Sequence, residues 1–173
     1  GNARQASVAG VDELEHVSGC AEALWPERHQ QGYHWRELWP DVTRDRVKRL
    51  IDLIVERQTW MAATRAIWHK IGTVWDVRHS EHPQMACVPG ALRAWWEQSY
   101  PCDVADDLRY EWIRALAGMQ VFTAGLIERG ARLIVGTDAP YLHMLPGFGV
   151  HDELAMLVAC GMKPARALDA ATR

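Results

Sequence analysis

Short apolar runs that close on polar residues alternate along this chain with longer stretches of helical spacing. The sharpest run, Ala131-Arg-Leu-Ile-Val135, passes directly into Gly136-Thr137-Asp138-Ala139 and then into a Pro/Gly-rich loop from Pro140 to Gly149. A β-branched run closing on Gly-Thr-Asp predicts a buried strand that delivers a carboxylate to its C-terminal end. The same aspartate would equally serve as a turn or helix cap. Residues 4–16 predict the end of a helix and a short strand, and 17–42 an irregular stretch with turns at Trp25-Pro26, Gly32 and Trp39-Pro40.

Thr43 is placed to cap a helix reaching about Arg57, because Val47, Leu50, Ile51 and Ile54 fall on one face. A longer helix is predicted over about 103–129, with Leu108, Trp112, Leu116, Met119 and Leu126 at helical spacing and Gly130 as its C-terminal cap. Between them lies an insertion, about 65–101, rich in Trp, His and Pro. After the loop, Val150-His-Asp-Glu-Leu154 opens a further helix, Gly161 suits its end, and Pro164 the first turn of the next.

Composition narrows the class. The 173 residues are 49% hydrophobic and 24% charged with a formal net charge of −3, a balance without the basic stripe that nucleic acid requires. No apolar run approaches the roughly 20 residues of a membrane span, and no basic-apolar signal opens the chain at Gly1-Asn2. Cys20, Cys87, Cys102 and Cys160 show no Cys-x-x-Cys spacing, which argues against a zinc ribbon or dithiol site and for reduced thiols in a cytoplasmic setting. The His-Asp-Glu-Leu at 151–154 is internal and cannot act as a retention signal.

Two constellations have competing readings. Arg78-His79-Ser-Glu81-His82 would offer zinc two histidines if helical, but Pro83 favours a solvated loop. Trp60, Trp68, Trp75, Trp95 and Trp96 either line an apolar substrate pocket or pack the insertion onto the rest of the fold, while Trp112 belongs to the core.

The ordered series Gly136-Thr-Asp138, Gly-rich loop, His151-x-Glu153-Leu154, Gly161-x-x-Pro164 and Ala167-Leu-x-x-Ala-Thr172 resembles the amidohydrolase superfamily, in its imidazolonepropionase-like branch. Val8-Ala-Gly-Val-Asp-Glu-Leu-Glu-His16 resembles that family's sixth strand, and Gln58-Thr-Trp-Met-Ala-Ala-Thr64 takes the place of the seventh without its usual Pro-Thr pair. The resemblance implies a partial (β/α)8 barrel, the last three strand–helix units of one domain. It implies a divalent metal, usually zinc, held by His16 and Asp138, with Asp138 the catalytic acid–base, and substrate contacts from His151, Tyr141 and His143. The activity implied is hydrolysis of C–N bonds in a cyclic amide, an N-acyl amino acid or a dipeptide.

The family's other metal ligands have no counterpart in this sequence. No His-x-His occurs, and Lys48, Lys70 and Lys163 all follow His16, so none can precede it as the strand-four lysine. A complete barrel also needs about 250 residues. The expectation is a chain catalytically silent alone, with small-molecule substrate and no nucleic-acid or membrane partner. It would alternatively act as a non-catalytic module, pairing its open edges with a second copy or an N-terminal barrel half.

Overall fold

The computed structural model describes residues 1–99 and 102–172. Three parallel strands, β1 (Glu13–Glu15), β2 (Trp60–Ala62) and β3 (Leu133–Ile134), lie side by side in sequence order. Leu14 pairs with Met61, and Met61 with Leu133, so one buried residue from each strand joins a row across the sheet. The α-helices of the described residues are α1 (Ala3–Ala9), α2 (Cys20–Leu24), α3 (Pro26–Gln30), α4 (Trp35–Leu38), α5 (Arg44–Glu56), α6 (Arg65–Gly72), α7 (Val77–Ser80), α8 (Gly90–Ser99), α9 (Asp106–Glu128), α10 (Gly149–Ala159) and α11 (Pro164–Thr172).

This overturns the partial (β/α)8 barrel. The described residues are 61% helical, and their only sheet has three strands of three, three and two residues. The run 131–135 shows why. After Leu133 and Ile134 the Val135 N–H donates to the Ala170 carbonyl of α11 rather than to a neighbouring strand, so the ladder stops after two pairs. At β2, Gln58 adopts a left-handed φ of 57° and delays the strand to Trp60. The stretch 17–42, expected to be irregular, instead folds into α2, α3 and α4. The insertion forms α6, α7, a 3-10 turn at Pro83–Cys87 and α8, while its last two positions, 100 and 101, lie outside the described residues.

Helix periodicity was the more dependable signal. Thr43 accepts from the Arg46 N–H at 3.3 Å and starts α5, whose buried residues are Val47, Leu50, Ile51 and Ile54. On α9, Trp112, Met119 and Leu126 are buried, and Gly130 closes the helix at φ 71°. These two helices pack together over a core that also takes in Leu38, Trp39, Met61 and Phe122. Fully burying a side chain of this size contributes about 1.5–3 kcal/mol. No helix among the described residues is long and apolar enough to cross a membrane.

Candidate functional site

Each strand hands its C-terminal end to a residue with unusual backbone geometry. His16 follows β1 at φ 61° and is succeeded by Val17 at φ 50°. Thr64, two residues beyond β2, has φ 45°, and Asp138, beyond β3, has φ 56°. Non-glycine residues held in this left-handed region cost on the order of 1–3 kcal/mol each, and such outliers gather at functional sites. Three elements therefore converge with strained backbone on one end of the sheet, the end where parallel α/β folds place their ligands.

Hydrogen bonds hold this edge. The His16 N–H donates to the Ala62 carbonyl at 2.8 Å, and the Trp68 indole N–H donates to the His16 carbonyl at 2.6 Å. The His16 ring nitrogen Nδ1 lies 3.1 Å from Thr64 Oγ1, leaving Nε2 as the nitrogen available to a ligand. His16 and Asp138 line one cavity of about 320 Å³, with Tyr141 at its rim and Trp35, Trp68 and Trp112 in its wall.

Using Thr64 in this way leaves the start of α6 without a side-chain cap of its own, although Thr64 occupies the capping position. Glu153 of α10 takes over. Its Oε2 accepts from the Ala66 N–H at 2.7 Å, and the carboxyl group is fully buried beside Arg65. Burial raises the Glu153 pKa, against the lowering effect of the Ala66 and Arg65 N–H groups and the Arg65 charge.

The other expected substrate contacts are not brought to this cavity. His143 is buried, stacked on Trp96 at 5.3 Å, and lines a separate cavity of about 140 Å³. His151 stands exposed on the first turn of α10, and the buried Glu153 is the residue through which that motif acts. Of the five tryptophans grouped around the insertion, Trp68 alone lines the His16–Asp138 cavity; Trp96 is fully buried and donates to the Pro140 carbonyl at 2.9 Å. Sequence reasoning missed Thr64 and Trp35, and assigned Trp112 to the core alone. A threonine at the end of an Ala-Ala run two residues past a strand was the one available signal.

His79 and His82 do not form a pair of ligands. His79 Nε2 bonds Thr73 Oγ1 at 2.8 Å, and His82 Nδ1 accepts from the Gln84 N–H at 3.3 Å. No group of three or more His, Cys, Asp or Glu among the described residues is arranged to hold a metal ion. Catalytic zinc takes three protein ligands. His16 and Asp138 are two, so among the described residues the donor set falls short of the zinc site that the resemblance implies.

His79 also makes stability depend on pH. Burial first, and the Lys70 ammonium next, push its pKa from 6.5 down to about 4, with His69 and His143 adding to the effect and Asp76 opposing it. The folded protein therefore keeps His79 neutral where the unfolded chain would protonate it. Its contribution is complete above about pH 6.5 and is lost as pH falls toward 4. Thermal melts should show a lower Tm at pH 5 than at pH 7, with the difference reduced in His79→Gln. A Tm that stays level or rises would contradict this assignment.

Comparison with known proteins adds no relative: no protein-family model, no curated protein and no solved structure matches the chain.

Proposed function

We propose that the His16–Asp138 cavity is part of the reaction centre of a hydrolase acting on C–N bonds, completed by groups from outside these residues. The observation that supports this reading is that two left-handed strand ends bring one imidazole and one carboxylate, His16 and Asp138, to a single cavity, with the third, Thr64, bonded to the His16 ring. In this reading Thr64 donates its hydroxyl hydrogen to His16 Nδ1. The ring then carries its own proton on Nε2, directed at the substrate carbonyl oxygen as that oxygen gains negative charge.

Asp138 acts as general base and then general acid. It takes one proton from the attacking water while the water oxygen bonds the carbonyl carbon. It returns that proton to the nitrogen as the C–N bond breaks, leaving a carboxylic acid and an amine. The Trp68 bond to the His16 carbonyl keeps the imidazole in place throughout.

The isolated chain is expected to bind without turning over, so binding is the test. Tryptophan fluorescence would be titrated with a cyclic amide, an N-acyl amino acid and a dipeptide. At least one should quench saturably at millimolar concentration. Asp138→Ala and His16→Ala should each weaken it about tenfold or more, the worth of a hydrogen bond to a charged or strongly polar group. Circular dichroism would confirm that both variants fold. If no ligand of this class binds, or if both variants bind as well as the parent, the reading is wrong. Elemental analysis should find well under one zinc per chain, because two donors hold the ion weakly.

A further inference from the structure

We propose that this cavity selects an uncharged amide with an aromatic side and disfavours substrates that carry a carboxylate. The inference rests on the C–N hydrolase reading and narrows its substrate class. The first observation is the wall. Trp35 meets Trp68 with ring centroids 5.0 Å apart and planes at 61°, and Trp112 at 5.7 Å and 70°. Edge-on packing of this kind produces a bent, continuous apolar surface rather than a closed stack. Ile67 and Ile71 extend it, and Tyr141 completes the rim. An aromatic ring laid on such a wall gains from the geometry of ring pairing as well as from buried area.

The wall is also rigid. Trp112 and Ile67 are buried, and Trp68 is tethered by its indole N–H to the His16 carbonyl. A ligand ring therefore meets indoles already held in place, which reduces the entropy lost on binding.

The second observation is charge. Among the described residues no Lys or Arg lines the cavity, and the Asp138 carboxylate is the acidic group in its lining. The cations nearby are engaged elsewhere. Arg36 pairs with Glu111 at 3.1 Å and lies over Trp112, and Lys70 pairs with Asp152 at 3.2 Å. Arg65 is buried with its Nη2 donating to the Leu116 carbonyl at 3.3 Å. A substrate carboxylate entering beside the exposed Asp138 would meet a like charge, with no Lys or Arg of the described lining opposite it and the His16 imidazole left to bond it. N-acyl amino acids and dipeptides are thereby disfavoured, and neutral aromatic amides fit.

The test uses a matched set: N-acetylphenylalanine amide, N-acetylphenylalanine and N-acetylglycine amide, titrated by tryptophan fluorescence at pH 7. The phenylalanine amide should bind about tenfold or more tightly than its carboxylate counterpart, since like-charge juxtaposition is strongly unfavourable. The glycine amide should not compete. Ser18 lines the cavity with an exposed side chain, so Ser18→Arg introduces a cation without disturbing the core. It should raise affinity for the carboxylate ligand about tenfold, with a gain that fades in high salt.

Equal or better binding of the carboxylate by the parent chain overturns the inference, as does Ser18→Arg with no gain. If Asp138→Ala still weakens binding in that case, the hydrolase reading survives and only the selectivity fails. If Asp138→Ala changes nothing for any ligand, the site itself has been misread.

Discussion

Gly118→Ala is expected to cost the protein about 3 kcal/mol or more, the upper range for overpacking. Gly118 lies in the buried face of α9 where that helix crosses the main chain at Trp39. A methyl group there would overlap the Trp39 carbonyl oxygen and sit 2.8 Å from its carbon. Backbone cannot turn aside as a side chain can. α9 and the α4–α5 connection would have to separate, opening the core around Leu38, Trp39 and Phe122, where the Trp39 and Phe122 rings meet at 5.9 Å. Alanine normally stabilises a helix relative to glycine by up to about 1 kcal/mol, so the two effects oppose each other and the clash dominates. Urea denaturation measures the difference. A variant as stable as the parent would mean that α9 does not approach Trp39 this closely. Gly125→Ala is the matched comparison, because the group it meets is the end of the flexible Ile51 side chain. Its loss should be clearly smaller.

Glu153→Ala should lose about 2–3 kcal/mol, because it leaves a buried N–H at the start of α6 without an acceptor and the Arg65 guanidinium without its neighbouring carboxyl group. The effect should extend to the candidate site. With Glu153 gone, Thr64 is the nearest group able to cap α6, and a hydroxyl that turns to the helix leaves His16 Nδ1. Ligand affinity should therefore fall together with stability, although Glu153 does not line the cavity. Glu153→Gln keeps an acceptor oxygen for Ala66 and should recover most of both losses. Denaturation and fluorescence titration on the same two variants decide the matter. Loss of stability in Glu153→Ala with unchanged affinity would show that Thr64 stays with His16 regardless.

The residues that could be read from the sequence share a physical property. The α5 face shows itself because a period of 3.6 repeats over 13 residues, and the same holds for α9. His16 and Asp138 each lie within a few residues of the end of a short strand, a position the sequence shows, but it is the resemblance to the amidohydrolase superfamily that picks them out as a pair. Helices α2, α3 and α4 have five, five and four residues, too few for any period to emerge. The fold class was misjudged for a related reason. An apolar run marks a possible strand, but pairing length depends on partners, and Val135 found its partner on α11.

The motif around His151 makes the same point at the level of one side chain. A helix start with His-Asp-Glu is visible in the sequence, but which of its three side chains turns inward depends on what α10 packs against. Its partner is α6, and Glu153 reaches Ala66 across 87 positions of sequence. His143, expected near Asp138, is drawn instead to the face of Trp96 in the insertion.

Local order along the chain is thus enough to set the helix faces and to put His16 and Asp138 just past short strands, while their pairing as the residues of the proposed chemistry came from the resemblance to the amidohydrolase superfamily. The helix faces and strand ends follow from backbone periodicity and steric preference, which act over a few neighbouring residues. The extent of the sheet, the handing of Thr64 from helix cap to imidazole, the buried Glu153 that replaces it and the tryptophan wall belong to packing. Each joins groups far apart in sequence, and the energy of such contacts depends on a geometry that exists only once the helices have assembled.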